Sequence, residues 1–320
     1  MMNCLNTYRR YACDIGRINE MAKNDAKGFV EMSESLFHED LRSIVENIIT
    51  LPVDRYVVLL SGPSSSGKTT TAQKLAEEFQ RHGCGVHHIS MDDFYLGKDY
   101  VNILPNGKPD FESVEALDIP LIKKTFLQLA QTGECEFPKY DFKTSSRTNE
   151  KQYLKLCPDE AVIIEGIHVL NPVFDNGADG GRISKVYVSV KQGVKNGEDY
   201  VLTNREIRCI RRLVRDNSFR DAPPEKLLGM WGEIVDGEKR FIRPYRYTSD
   251  FTVNSIHIYE PCLMKERAVS LLEQINENSE YYETAKHLIK SLSGFEVIDD
   301  VLIPANSLMR EFIGGGNYVY

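Results

Sequence analysis

The stretch that decides the fold lies at residues 62–69 and reads Gly62-Pro-Ser-Ser-Ser-Gly67-Lys68-Thr69. It matches the pattern G-x-x-x-x-G-K-[ST] at every fixed position. An apolar run, Tyr56–Leu60, precedes it, and a segment with helical spacing follows at 69–82. Glycine lets the chain turn tightly and bring backbone N–H groups close to phosphate oxygens. A chance glycine- and serine-rich turn is the alternative, but the matched positions and both flanks favour a phosphate-binding loop.

The side chains of this loop suit a nucleoside triphosphate. We expect Lys68 to reach the β- and γ-phosphates, the hydroxyl of Thr69 to ligate Mg²⁺, and Thr70 to add a hydrogen bond to the α-phosphate. The predicted nucleotide-binding residues are Gly62, Ser64, Ser65, Ser66, Gly67, Lys68, Thr69 and Thr70. The chain lacks the N-K-x-D sequence by which GTPases read guanine. The loop therefore indicates a kinase or an ATPase.

The rest of the chain alternates between short apolar runs and helical patterns. The runs predict strands at Tyr56–Leu60, Val86–Ser90, Ala161–Glu165, Lys185–Val190 and Asp250–Asn254, and the patterns predict helices at 69–82, 116–131 and 203–215. This alternation predicts an α/β fold with a parallel sheet that is covered by helices on both faces. Helical spacing also occurs at 30–50, Leu263–Ile275 and Tyr281–Leu292. We predict a helical lead at 1–50, a P-loop kinase domain at 51–260 and a helical tail at 261–320.

The composition argues against several other classes of protein. With 320 residues, 42% of them hydrophobic, the chain can form one large domain with appendages or two small domains. Its formal net charge of −8 argues against a general nucleic-acid binder. The seven cysteines form no C-x-x-C pair, and the histidines show no metal spacing, so we expect a reducing compartment and no zinc site. No apolar run is long enough for a signal peptide or a membrane span, so we expect a cytoplasmic protein.

Two carboxylates follow predicted strands on the side where the phosphate loop lies. Asp92 lies in Ser90-Met-Asp-Asp-Phe-Tyr95, and Glu165 ends the apolar run Val162–Glu165. Phosphoryl transfer to an alcohol needs a group that accepts the hydroxyl proton, and Asp92 is the candidate. The alternative for Asp92 is a helix N-cap, and the sequence leaves both open. Glu165 occupies the Walker B position, where an acid orients metal-bound water, so Thr69 and Glu165 are the predicted Mg²⁺ residues.

Six arginines lie between residues 205 and 220. Four of them, Arg208, Arg211, Arg212 and Arg215, have the spacing i, i+3, i+4 and i+7 and therefore share one face of a helix. Guanidinium groups can bind phosphate oxygens bidentately. Two other interpretations remain: a solvated basic face paired with acids such as Glu206 and Asp216, or an RNA-binding stripe.

Taken together, these motifs resemble the uridine/cytidine kinase family, within the wider group that includes phosphoribulokinase. The resemblance rests on the phosphate loop, S-x-D-D-F-Y, Pro138–Phe142, the E-G-I strand and the arginine helix, in that order, over about 56–255. It is closer still to bacterial uridine-kinase-like proteins, whose pre-kinase helix and ending resemble Ile18–Glu46 and Asn306–Gly315. In those proteins a part resembling threonyl-tRNA synthetase editing regions often comes first, and this chain has no room for it. We therefore expect a short member or a piece of a longer protein.

The resemblance implies an ATP-dependent kinase (with GTP as the alternative donor) that phosphorylates the 5′-hydroxyl of a nucleoside with Mg²⁺. It implies that Asp92 is the general base, that Lys68, Arg212 and Arg215 stabilise charge, and that the arginine helix belongs to a lid at 203–225. In this interpretation Arg208 and Arg211 bind the nucleotide. Glu112 falls where the family has an Asp that binds the ribose hydroxyls.

The resemblance also implies an acceptor pocket, with one departure. The implied substrate-binding residues are Asp92, Tyr95, Glu112, Tyr140, Phe142, Ser145 and Arg147. Tyr140 and Phe142 could instead be core or rim aromatics, and His168 a packing or a pocket residue. Where the family has a His that reads the pyrimidine edge, this chain has Ser145, so pyrimidine preference does not carry over. Arg147 or His168 could read a different base instead.

The sequence leaves two other functions open. One is a kinase of another sugar or polyol, in the manner of phosphoribulokinase. The other is a nucleotide-dependent RNA-binding or regulatory protein with little turnover. We expect a small-molecule alcohol as the partner, no membrane and no nucleic acid, and we leave a homo-oligomer open.

Overall fold

The structure is a computed structural model that describes residues 5–6, 13–103, 107, 110–141, 144, 146–174 and 183–318. In these residues the strands are β1 (Leu5–Asn6), β2 (Tyr56–Ser61), β3 (Val86–Ser90), β4 (Glu134–Asp141), β5 (Ser146–Lys155), β6 (Ala161–Glu165), β7 (Ile183–Ser189), β8 (Val194–Asn196), β9 (Asp199–Leu202) and β10 (Phe251–Asn254). The helices are α1 (Ile15–Ile49), α2 (Lys68–Arg81), α3 (Ile119–Thr132), α4 (Asn204–Arg220), α5 (Pro224–Phe241), α6 (Glu260–Leu272), α7 (Tyr282–Ser293) and α8 (Arg310–Ile313).

The central sheet is parallel, with strand order β1-β10-β7-β2-β6-β3. Strand β2, which leads into the phosphate loop, lies between β7 and β6, and all six of its residues are buried. In the register, Leu60 pairs with Glu165, and Glu165 pairs with Ser90. Because parallel strands end at the same edge, the phosphate loop, Glu165 and the residues after β3 meet there. The prediction of a parallel sheet is confirmed.

Helices cover both faces of the sheet, as predicted, because the strands are buried and apolar on both sides. One face packs against residues of α1, α2, α4, α6 and α7 in a single hydrophobic core. The other face packs against α3 and the β4–β5 hairpin. Of the helices in the described residues, none has both the length and the apolar character needed to cross a membrane.

Four features differ from the sequence prediction. Helix α1 begins at Ile15 instead of near residue 30, and it is kinked at Asp25, whose φ is −154° and ψ 74°. The β4–β5 and β8–β9 hairpins had not been predicted, because β5 is mostly exposed and polar and offers no apolar run. Helix α5, which follows the arginine helix, had not been predicted either.

Candidate functional site

The phosphate loop has the backbone geometry that its sequence requires. Ser65 and Gly67 have φ values of +57° and +84°, and Gly67 is the N-terminal cap of α2. A Cβ atom on Gly62 would lie 2.2 Å from the carbonyl oxygen of Val188, and one on Gly67 would lie 2.6 Å from Leu308 Cδ1. Only glycine fits at these two positions. The loop therefore presents backbone N–H groups and the N-terminus of α2 toward one point, which is the arrangement that binds phosphate.

Polar groups of the loop are available for a phosphate. The hydroxyls of Ser65 and Ser66 are buried, and no group in the described part of the chain hydrogen-bonds to either oxygen. Lys68 is partly exposed, and its Nζ donates to the carbonyl of Pro63 at 3.4 Å. Buried hydroxyls without protein partners cost free energy unless a ligand or water pairs with them. The loop thus fits the triphosphate that its sequence predicts.

Asp92 and Glu165 lie together at the edge of the sheet. Asp92 is in a 3-10 turn directly after β3, and the hydroxyl of Ser90 joins the two acids: it accepts from the Asp92 N–H at 3.3 Å and donates to Glu165 Oε1 at 3.2 Å. Ser90, and not Asp92, is the capping residue of this turn. The Asp92 carboxylate therefore does not cap this turn.

The pKa values of these acids are raised. Burial raises the pKa of Asp92 to about 7, the Glu165 carboxylate adds to the shift, and the Lys68 ammonium opposes it. Burial likewise raises the pKa of Glu165, against the effects of Lys68 and the Ser90 hydrogen bond. Raised carboxylate pKa values beside a phosphate-binding loop are typical of a catalytic site.

The neighbouring Asp93 has a different position. Its carboxylate accepts from the backbone N–H of Tyr140 at 3.1 Å and from Gln152 Nε2 at 3.2 Å. These bonds attach the β4–β5 hairpin to the end of β3. Of the two consecutive acids, Asp93 thus holds the hairpin, and Asp92 faces Glu165 and Lys68.

The predicted acceptor residues surround Asp92. The ring of Tyr95 lies 5.7 Å from that of Tyr140 and 5.8 Å from that of Phe111, between centroids. Burial raises the pKa of Glu112, and the charges of Arg212 and Lys68 lower it, so this acid faces the same site. Two predicted residues, Phe142 and Ser145, lie outside the described residues.

Arg147 and His168 support the walls of the pocket. The guanidinium group of Arg147 donates to the carbonyl groups of Phe94 and Tyr95 at 2.8 and 3.0 Å and to Asp118 at 2.9 Å. His168 is buried, with its ring 6.2 Å from that of Phe241, and burial lowers its pKa to about 4. Arg147 therefore joins β5 to the loop after Asp92, and His168 is neutral.

Two of the four arginines on the shared face of α4, Arg208 and Arg211, are paired with buried acids. Arg208 donates to Glu238 at 2.5 Å and lies over the ring of Trp231, at 5.6 Å. Arg211 is fully buried and binds Glu260 bidentately at 2.6 and 3.0 Å. Each also donates to a carbonyl of the phosphate loop: Arg208 to residue 64 at 3.5 Å and Arg211 to residue 65 at 3.3 Å. Both arginines therefore stabilise the phosphate loop through hydrogen bonds to its carbonyl groups.

The other two arginines lie nearer the phosphate side of the loop. Arg212 donates to the hydroxyl of Ser64 at 2.8 Å, and Arg215 donates to Asp216 at 2.7 Å. Asp216 is 2% exposed and also pairs with Arg212 at 3.2 Å, so one buried acid orients both side chains. The interpretation of a solvated basic face had named Asp216 as a partner of the arginines. Asp216 does pair with them, but it is buried and not solvated.

A segment near the C-terminus reaches the phosphate loop, and no role had been predicted for it. Glu311 accepts from the hydroxyl of Thr70 at 2.7 Å and from its N–H at 3.4 Å, and it lies 3.9 Å from Arg215. Leu308 packs on Gly67. The ring of Phe312 lies 5.1 Å from the Arg211 guanidinium. The resemblance of Asn306–Gly315 to the ending of bacterial relatives was the one sequence signal for this contact.

A buried polar network anchors this segment. Glu34 of α1 accepts from Tyr259 Oη at 2.7 Å and from Ser307 Oγ at 2.5 Å, and it lies 3.3 Å from His257. These partners lower the pKa of Glu34 to about 2 against the effect of burial. The network joins α1, the loop after β10 and the C-terminal segment.

Among the residues that the structure describes, no group of three or more His, Cys, Asp or Glu side chains could hold a metal ion. The predicted Mg²⁺ residues are Thr69, in the first turn of α2, and Glu165, at the end of β6, the strand that pairs with the phosphate-loop strand β2. Protein-bound Mg²⁺ in kinases is typically held by one or two protein oxygens together with substrate phosphates. The two residues fit that mode of binding.

Comparison with known proteins identifies the family. A family model described as "Phosphoribulokinase / Uridine kinase family" matches residues 57–259, more than half of the chain. The chain belongs to the phosphoribulokinase/uridine kinase family. It is therefore an ATP-dependent kinase with a P-loop fold, as predicted.

Two relatives named uridine kinase agree with this assignment. The chain is 29% identical over 198 residues to a uridine kinase from Lactobacillus helveticus, which covers 62% of this chain and 85% of that protein. It is 26% identical over 195 residues to a uridine kinase from Clostridium tetani, covering 61% and 84%. Among solved structures, phosphoribulokinase from Rhodobacter spheroides is 15% identical, with a TM-score of 0.41, covering 61% of this chain and 68% of that one.

Proposed function

We propose that this kinase transfers the γ-phosphoryl group of ATP to the 5′-hydroxyl of a ribonucleoside. One observation carries the proposal: Asp92, with its raised pKa, lies close to the charges of Glu165 and Lys68, directly after β3, and only β6 separates β3 from the phosphate-loop strand β2. This is where an acceptor hydroxyl would meet a γ-phosphate. The relatives named uridine kinase support a nucleoside as the acceptor.

Each residue has a defined task in the reaction. The ionised Asp92 accepts the proton of the 5′-hydroxyl, whose oxygen forms a bond to the γ-phosphorus, while the bond between that phosphorus and the β–γ bridging oxygen breaks and ADP leaves. Lys68, Arg212 and Arg215 stabilise the charge on the transferring group. Thr69 and Glu165 would hold Mg²⁺, which neutralises charge between the β- and γ-phosphates.

The acceptor pocket is proposed to bind ribose more strictly than the base. Glu112 can accept hydrogen bonds from the 2′- and 3′-hydroxyls, and Tyr95 and Tyr140 supply an aromatic wall. Ser145 replaces the His that reads a pyrimidine edge in similar enzymes. A site that does not hydrogen-bond one particular base discriminates less strongly among bases.

The β4–β5 hairpin is proposed to position this pocket. Its three attachments are the Asp93 bonds to Tyr140 and Gln152 and the Arg147 bonds to the loop after Asp92. Arg147 thus acts on the substrate through the pocket wall, because its donors are directed at Phe94, Tyr95 and Asp118.

The decisive experiment measures ADP formation by the full chain with ATP and Mg²⁺ against nucleosides, deoxynucleosides and sugar alcohols. We expect activity on ribonucleosides, including at least one purine nucleoside, and lower activity on the deoxyribose analogues. Ser145→His should shift the preference toward uridine and cytidine, while the matched Ser146→His change should not. Activity on a polyol alone would overturn the nucleoside assignment, and exclusive use of uridine and cytidine would overturn the loose base selection.

A further inference from the structure

A large cavity lies next to the phosphate loop, and Glu238 of α5 forms part of its wall. Its volume is about 650 Å³, which is within the range of small-molecule sites. It is lined by the end of β7, the start of α4 and the turn at 243–249, and Pro63 of the phosphate loop forms part of its wall. The acceptor residues Asp92, Tyr95, Glu112 and Tyr140 are not among the residues that line it.

The wall of the cavity is strongly basic in a chain of net charge −8. Its charged lining residues are Lys191, Arg205, Arg208, Arg243, Arg246 and Glu238. Glu238 is already paired with Arg208. Within the described residues, no carboxylate lies within salt-bridge distance of the other four cations. In the described residues these four cations therefore form no ion pair, although the charges of Arg205 and Asp236 interact.

Two of these cations, Lys191 and Arg246, are partly exposed, and each lies over a tyrosine ring. Lys191 lies over the ring of Tyr187, 4.8 Å from its centroid, and Arg246 lies over the ring of Tyr247 at 4.5 Å. Burial, and then the charge of Arg246, lower the pKa of Lys191 to about 8. Like charges that lie close together without an acid are costly unless an anion joins them.

Neighbouring residues of α5 contact the acceptor pocket and the cavity. A Cβ atom on Gly237 would lie 2.9 Å from Glu112 Cβ, so this residue of α5 closes the acceptor pocket. The next residue, Glu238, faces the cavity and binds Arg208. Arg208 in turn donates to the carbonyl of Ser64. The two spaces are therefore separate but connected through α5 and the phosphate loop.

We propose that this cavity is a second ligand site that binds a small phosphorylated molecule. Arginine side chains bind phosphate oxygens bidentately, and the volume admits a mononucleotide or a sugar phosphate. The concave shape and the acidity of the rest of the chain disfavour a nucleic-acid duplex. The ligand's phosphate would lie between Lys191, Arg243 and Arg246, and Arg208 would connect its binding to the phosphate loop.

The test uses the full chain saturated with Mg²⁺ and a non-hydrolysable ATP analogue, so that the phosphate loop is occupied. Inorganic pyrophosphate and UMP are the probes, and calorimetric titration measures their affinity and stoichiometry. We expect one further site for pyrophosphate. The double change Arg243→Gln/Arg246→Gln should weaken pyrophosphate binding at least tenfold and leave the affinity for the ATP analogue within about twofold, as expected for loss of two charge-assisted contacts.

The matched control is Arg17→Gln/Arg42→Gln, two exposed arginines of α1, which should leave both affinities unchanged. If the cavity variant loses thermal stability, Lys191→Gln and Arg246→Lys are compared instead: the first should weaken binding and the second should largely retain it. The proposal is wrong if no pyrophosphate binds to the protein that is saturated with the ATP analogue. It is also wrong if the variants bind pyrophosphate with unchanged affinity. Weaker UMP than pyrophosphate binding would limit the ligand class to phosphates without a base.

Discussion

Two sets of acids lie near the phosphate loop, and they differ in their partners. On the acceptor side, Asp92, Glu112 and Glu165 have raised pKa values, and in the described residues none is within salt-bridge distance of a cation. On the opposite side, Glu238 and Glu260 bind arginines at 2.5 and 2.6 Å. There Glu34, with a pKa lowered to about 2, is surrounded by hydrogen-bond donors.

This difference distinguishes the acids that take part in the reaction from the acids that stabilise the fold. An acid whose charge is balanced by a partner stabilises the fold, because breaking the pair leaves the partner's charge buried. An acid whose charge is not balanced destabilises the apo protein at neutral pH, and it is retained where a substrate or metal supplies the missing charge. The first set therefore belongs to the reaction, and the second holds the loop in place.

The largest effect is expected at Asp92. Asp92→Asn keeps the shape of the side chain but removes the proton acceptor, so kcat should fall by about 10²- to 10⁴-fold. Affinity for ATP should change little, because Asp92 faces the acceptor. Steady-state kinetics against ATP and the accepted nucleoside measure both parameters. If the folded variant is fully active, Asp92 is structural.

The opposite set should give a loss of stability instead. Glu260→Ala leaves Arg211 buried without its bidentate partner, which should cost about 3–5 kcal/mol of unfolding free energy. The control is Glu150→Ala, which removes an exposed partner of Lys139 and should cost at most about 1 kcal/mol. Chemical denaturation measures both. Equal costs for the two variants would contradict the distinction between the sets.

The pH dependence of activity should report the raised pKa of Asp92. Because the base must be ionised, kcat/KM should rise with pH up to about 7 and level off above it. The slope below that pH should approach tenfold per pH unit. A profile that is flat from pH 5 to 8 would place the base elsewhere.

The same pKa makes a prediction about stability. The folded-state pKa of Asp92 lies above the ordinary value of 3.8, so its unfavourable contribution is absent below pH 3.8 and fully present above about pH 7. Asp92→Asn should therefore melt at a higher temperature than the unchanged protein at pH 8, and at the same temperature near pH 4. Thermal scans of both proteins across this range measure the difference. If the difference in melting temperature is the same at all pH values, ionisation of Asp92 does not destabilise the folded protein.

The smallest effect is expected at Glu311, which lies between the two sets. Its carboxylate accepts from Thr70, the residue predicted to contact the α-phosphate. Glu311→Gln keeps an acceptor and removes one negative charge, so the KM for ATP should fall by about two- to fivefold, as for a single partly screened charge. Glu296→Gln, at an exposed position, is the control. A rise in KM would mean that Glu311 instead orients the loop for ATP.

Short-range patterns predicted the parts of the site that lie within one strand–loop–helix unit. The phosphate loop, the parallel sheet and the meeting of Asp92 with Glu165 follow from residue spacing, because parallel strands end at the same edge. The spacing of the arginines also placed them correctly on one helical face. The hairpin residues 134–155 could not be predicted, because their alternation is weak and their stability comes from the Asp93 and Arg147 contacts.

The sequence by itself determined the triphosphate loop, the fold class and the pair of acids at the end of the sheet, because each depends on neighbouring residues and on a regular period. Only the tertiary structure decided which of two adjacent acids faces the loop and which arginines of one helical face are committed to acids. It also decided that Glu311 reaches Thr70, 241 positions away in the sequence. These depend on contacts between distant segments, whose partners are chosen by packing and burial and leave no local pattern.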